Sequence, residues 1–164
     1  MAIETLSSVV PKRLSTTGSI KAWISDLVTA LNTMLAELYY REIVVSVNIP
    51  AHASKTVYNL VTARADYTIA SIDYVPDVAQ GGALTATVVK ATGTATPASG
   101  TTPMHTAGAI DLNATAHTVQ SITLTATAAD LDLDAGDRIG LVLSGAMSTG
   151  SGTVSVRMRR TSGT

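Results

Sequence analysis

The side chains best suited to chemistry lie in one acidic run, Asp130-Leu131-Asp132-Leu133-Asp134-Ala135-Gly136-Asp137. Hard cations such as calcium take several carboxylate oxygens, and this run offers a cluster of them. Its spacing is wrong for a helix-flanked calcium loop. Counted from Asp130, the glycine that makes the sharp turn is replaced by Ala135, and the bidentate glutamate by Leu141. Leu131 and Leu133 alternate with the aspartates, as in a strand that turns its leucines inward before a glycine turn. The run therefore reads as structure, and no metal is expected.

Other constellations fail on spacing. His52, His105 and His117 share neither an i, i+4 nor a His-x-His relation, so they offer no local metal set and no cupin-type site. His105 and His117 flank a loop and are expected at the surface. Gly145 to Ser151 has glycines like those of a phosphate loop, but Ser151 stands where the lysine belongs, and a strand rather than a helix should follow. No Gly-x-Ser-x-Gly nucleophile elbow is present. Arg157, Arg159 and Arg160 form one basic cluster, read as a solvated strand end. Catalytic residues, cofactor-binding residues, metal ligands and cofactors are all read as none, and the chain as a non-enzyme.

Composition narrows the partners. The chain has 164 residues, 11 Lys+Arg against 12 Asp+Glu, and a net charge of −1, so it lacks the basic balance of a nucleic-acid binder. It has no cysteine, which removes disulfide scaffolds, thiolate metal sites and cysteine nucleophiles. Charged residues make up 14%, against about 25% in ordinary soluble domains. Thr, Ser, Ala and Gly must cover the surface instead, which suits burial against neighbouring subunits. No stretch has the apolar length of a membrane span, and Met1-Ala2-Ile3-Glu4 does not open a signal peptide, so no membrane partner is expected.

The elements that would position any site divide at residue 41. Residues 1–17 read as a polar arm with Pro11. Ile20, Trp23, Ile24, Leu27, Val28, Leu31, Leu35 and Leu38 then recur on one face at helical period, which predicts an amphipathic helix over 19–40, capped by Thr17 or Ser19. From Glu42 the period changes to two. Strands are predicted over 43–49, 56–61, 67–75 (stopped by Pro76-Asp77), 84–89, 122–127, 139–143 and 154–159, with a long loop over 91–108 that could form an exposed tip. Alternation, turn signals and the lack of helices between strands predict a mainly β fold. It is an antiparallel β-sandwich or jelly roll over 42–164, preceded by the arm and one amphipathic α-helix over 1–41.

The phrases "ASIDYVPDVAQGGALTATVVK" and "SITLTATAADLDLDAGDRIGLVLSG", after a short helical segment, resemble the small jelly-roll virion proteins of tailed phages, especially capsid decoration (cement) proteins. The resemblance implies a structural protein on the capsid surface, assembled in the host cytoplasm, with the major capsid protein and copies of itself as partners. It carries no motif residues that can be transferred by position. Under it, the helix face of Trp23, Leu27 and Leu31 becomes the candidate homo-oligomer interface, a trimer being favoured over a dimer, and residues 1–17 the capsid contact. The alternative is a receptor- or glycan-binding β-sandwich of a head or tail fibre, with 91–108 as its recognition loop.

Overall fold

The change of period at Glu42 is also where the chain divides into two compact units, Met1–Arg41 and Glu42–Thr164. The computed structural model describes residues 17–39, 42–99 and 101–161, and within the helix the side chains of 20–35. The expected arm, apart from the backbone at Thr17, and the capping side chains of Thr17 and Ser19 lie outside the described residues. In the first unit, α1 (Thr17–Tyr39) follows the apolar period found in the sequence.

The second unit is two antiparallel sheets. In the first, β1 (Glu42–Ile49), β10 (Ser151–Arg160), β3 (Tyr67–Val78) and β7 (Gln120–Ile122) lie in that order, and β8 (Asp132–Leu133) also pairs with β3. In the second, β2 (Val57–Thr62), β9 (Arg138–Leu143), β4 (Thr85–Ala91) and β5 (Thr102–Pro103) lie in order, and β6 (Ile110–Asp111) also pairs with β4. β1 to β4 alternate between sheets, and β9 and β10 take the places between them. This is jelly-roll connectivity, which closes two Greek keys on one core. Of the two architectures the sequence left open, the structure adopts this one.

The core follows from the alternation. In β10, Val154, Val156 and Met158 point inward while Thr153, Ser155 and Arg157 point out; in β9, Ile139, Leu141 and Leu143 are buried. Tyr74 and Tyr58 join this aliphatic core. A one-turn helix, α2 (Ala128–Leu131), does lie between β7 and β8, against expectation. It is too short to be a βαβ crossover. Lys90 donates from Nζ to the carbonyls of Ala129 (2.6 Å) and Asp132 (2.9 Å), which satisfies the helix's C-terminal end.

Several predicted boundaries move. The strand expected over 122–127 shrinks to β7 at Gln120–Ile122, and beyond it Leu124 makes only an isolated bridge with His105. β3 runs through Pro76 to Val78, because Pro76 faces Gly152 beside a bulge, where a residue without an N–H can be accommodated. The segment 91–108 keeps an exposed part, at Thr92, Gly93, Thr94, Thr96, Ala98 and Ser99, but it is anchored to the domain. The Arg138 guanidinium donates to the carbonyls of Gly93 (2.6 Å) and Ala95, and holds the segment against the second sheet. Pro97 is buried directly over Gly140, and further on Thr102–Pro103 pairs with β4 while Met104 is fully buried. We term residues 92–109 the flap. The sequence concealed it because Ala, Thr, Gly and Pro carry no period.

Gly140 permits this packing, since a Cβ there would sit 2.3 Å from the Pro97 Cβ. Gly140→Ala is therefore expected to displace the flap and to destabilise the protein by about 1–3 kcal/mol, as overpacking does. Denaturant unfolding reads the loss, and faster amide exchange over 92–104 locates it.

Candidate interaction surfaces

The helix carries the interface residues expected from the sequence. Trp23 and Leu27 are half-buried, and Leu31 is 53% exposed. Spaced four apart, they form one stripe along α1. The exposed apolar surface beside them is wider than that trio, for Ile20, Ile24, Val28, Met34 and Leu35 are exposed as well. The Trp23 indole N–H is buried without a hydrogen-bond partner.

The outer face of the first sheet has the opposite character. Strand register aligns Ser46, Ser155, Asp73 and Ser121 in one row across β1, β10, β3 and β7. The Ser46 and Ser155 hydroxyls are 2.8 Å apart, and Ser121 donates to Asp73 Oδ1 at 2.7 Å. At one end of this face, Glu42 accepts from Arg159 at 2.8 Å and lies 3.8 Å from Arg157. The Arg159 hydrogen bond holds the Glu42 carboxyl below its ordinary value. Arg157 and Arg159 thus share the one Glu42 carboxylate, and the row is polar, with Asp73 as its only ionisable side chain.

The acidic run makes structural contacts. Asp132 accepts from Thr68 at 2.7 Å, Asp137 accepts the Asp134 N–H at 3.1 Å, and Gly136 turns the chain at a φ of 101°. Among the described residues, no group of three His, Cys, Asp or Glu could hold a metal ion. The glycine turn before β10 does present converging N–H groups, but the protein fills them itself. Gln80 Oε1 accepts from Ser148 (3.2 Å), Thr149 (3.2 Å) and Gly150 (2.9 Å), and its Nε2 donates to Ser148 Oγ at 2.8 Å.

His105 corrects the surface assignment, for it is 2% exposed. The chain leaves the β4 ladder between Met104 and Ile110, which would strand the Val88 N–H. His105 Nε2 accepts that N–H at 2.9 Å, and Nδ1 lies 2.7 Å from the Thr106 carbonyl. Nδ1 must therefore carry the proton. Burial lowers the His105 pKa, against the pull of the Thr106 carbonyl. Burial, with Asp77 and Asp111 adding to it, pushes the Tyr74 phenol up to about 12. Sequence reasoning missed Gln80 and His105 because their partners are backbone groups distant in the chain. A buried polar residue next to apolar ones, as in Met104-His105, is the only local signal.

No family model and no curated protein matches the chain. Among solved structures, it is similar to a chain of the cyanophage Pam1 capsid asymmetric unit, with a TM-score of 0.48 and 12% identity over 74% of this chain and 84% of that one. It is also similar to a chain of the acid-stable capsid of Helicobacter pylori bacteriophage KHP30, with a TM-score of 0.46 and 11% identity over 74% of this chain and 89% of that one. No helix among the described residues is long and apolar enough to cross a membrane.

Two outcomes test these assignments. Because the folded His105 value lies below the unperturbed 6.5, its contribution to stability is complete above about pH 6.5 and is lost as pH falls through the folded value. His105→Leu is expected to lower stability at pH 7.5 by about 1–3 kcal/mol, by stranding the Val88 N–H, and to flatten the acid-side slope in thermal melts. Gln80→Ala leaves three N–H groups without their acceptor, so hydrogen exchange at Ser148, Thr149 and Gly150 is expected to quicken at least ~10-fold, which corresponds to a local loss of about 1.4 kcal/mol.

Proposed function

We propose that the chain is a structural virion protein that decorates the outside of a phage head and stabilises its lattice. The observation that carries this reading is the pairing of a closed jelly roll, whose reactive side chains serve its own backbone, with a helix exposing Ile20, Ile24, Val28, Leu31 and Leu35. A rigid body with an adhesive element and little charge fits a protein that works by adding buried area across subunit joints. Many copies on one lattice turn a modest contact into a large gain, since each engaged site raises the effective concentration at the next. Self-association through the α1 face that holds Trp23, Leu27 and Leu31, and contact of residues 1–17 with the major capsid protein, complete the proposal. The low charge density supports it, because such a surface loses little solvation when covered.

The receptor- or glycan-binding alternative would use the exposed residues of 92–99; the tether from Arg138 and the burial of Pro97, Met104 and His105 favour a structural role for the segment instead. Co-sedimentation of the purified full chain with heads of the phage that encodes it tests the proposal. Saturable binding and slower head disruption on heating are the expected results. Removal of residues 1–17 is expected to weaken binding at least ~10-fold, about 1.4 kcal/mol, with the β-sheet circular dichroism unchanged. Unchanged binding would reject the arm as the contact, and no binding by the full chain would reject decoration.

A further inference from the structure

We propose that α1 is one strand of a parallel, three-stranded coiled coil formed by copies of this chain. The inference refines the self-association in the reading above, and it stands without any capsid. Ile20, Ile24, Leu27, Leu31 and Met34 follow one another at alternating spacings of four and three, and Leu38 continues the series in sequence. That is the heptad seam, with Ile20, Leu27 and Met34 at d and Ile24, Leu31 and Leu38 at a. A helix that packs on a sheet or a mixed core needs only an apolar face. The four-three series is sustained from Ile20 to Leu38, and a seam of that period stays in register along another helix of the same period.

The seam is open in the single chain. Ile20, Ile24, Leu31 and Met34 are 42%, 48%, 53% and 41% exposed. No charge lies on it, and the polar side of the helix is satisfied internally, with the Thr29 and Thr33 hydroxyls donating to the carbonyls four residues back. The helix has no acidic residue in its first turn and no basic residue in its last, so its ends gain nothing from the macrodipole. Helices in proteins take most of their stability from packing an apolar face rather than from propensity.

Area and side-chain type select the occupant and the number. Val28 and Leu35, both exposed, lie at e positions and widen the seam beyond what one partner helix covers. Six half-exposed large apolar side chains offer on the order of 80 Å² each, so three helices bring together roughly 1,500 Å², within the range of stable interfaces. Isoleucine at a with leucine at d, the combination that favours two strands, occurs only at Ile24 and Leu27. Isoleucine at both d and a (Ile20, Ile24) favours more than two.

Light scattering on the full chain tests this directly. The expected mass is three times the 16.8 kDa chain. Leu31→Glu, at an exposed seam position, is expected to reduce the mass to one chain, while Asn32→Glu, one residue off the seam, leaves it unchanged. Unaltered β-sheet circular dichroism in both variants verifies that the jelly roll is folded. Because the chain has no cysteine, Leu31→Cys gives a single thiol, and in a parallel register it is expected to form interchain disulfides on mild oxidation. A wild-type mass of one or two chains, or a folded Leu31→Glu protein that stays assembled, would overturn the proposal. An assembled Leu31→Cys protein that does not cross-link would overturn the parallel register. A trimer that ignores heads rejects decoration and leaves the seam standing, whereas head binding by a monomer does the reverse.

Discussion

The β domain depends on the placement of its last two long strands. β9 lies between β2 and β4, and β10 lies between β1 and β3, so each sheet is bridged by a strand from the end of the chain. β10 satisfies two ladders at once, Glu42–Ile49 on one side and Tyr67–Val78 on the other. Neither sheet can form its centre until residues 138–160 arrive, which makes the fold rich in non-local contacts and its loop-closure cost high. The turn that joins these strands is anchored from the far side of the sequence. Gln80, just beyond β3, takes up the N–H groups of Ser148, Thr149 and Gly150, so the end of β3 and the start of β10 are tied by one amide.

The second constraint is the outer edge of β4. A jelly roll must still cover the edges of its two sheets, and an open edge is a template for unwanted pairing. β5 and β6 close this one in two short pieces, and His105 closes the gap by standing in for a backbone carbonyl. Lys90 and Arg138 act in the same manner, donating to the carbonyls of residues 129, 132, 93 and 95 rather than to carboxylates. Several of the few ionisable groups in this chain thus complete backbone hydrogen bonding. Low charge and a well-sealed fold are two aspects of one arrangement.

The functional reading grows out of that contrast between units. The β domain turns a polar row of serines and Asp73 outward and buries most of its large apolar side chains, while the described face of α1 leaves most of its own exposed. A helix with an exposed apolar face and a β domain with few charges suit assembly, where the gain comes from covered area and repetition rather than from a reacting group.

The sequence by itself determined the helix, most of the long strands and their inward set, because periods of 3.6 and 2 are written in neighbouring residues; the alternation over 122–127 misled, for only Gln120–Ile122 pairs there as a strand. Val154, Val156 and Met158, or Ile139, Leu141 and Leu143, could be assigned to the core from alternation alone. The acidic run lacks the glycine and glutamate offsets of a helix-flanked calcium loop, and the glycine turn lacks the lysine of a phosphate loop. Only the tertiary structure decided which sheet each strand joined, that 92–109 lies down as a flap, that β3 continues through Pro76, and that His105 is buried and neutral. Each of these depends on a partner far along the chain: Gly140 beneath Pro97, Gly152 opposite Pro76, and the Val88 N–H facing His105. Local periodicity records which way a side chain points, whereas the group it meets is set by long-range register.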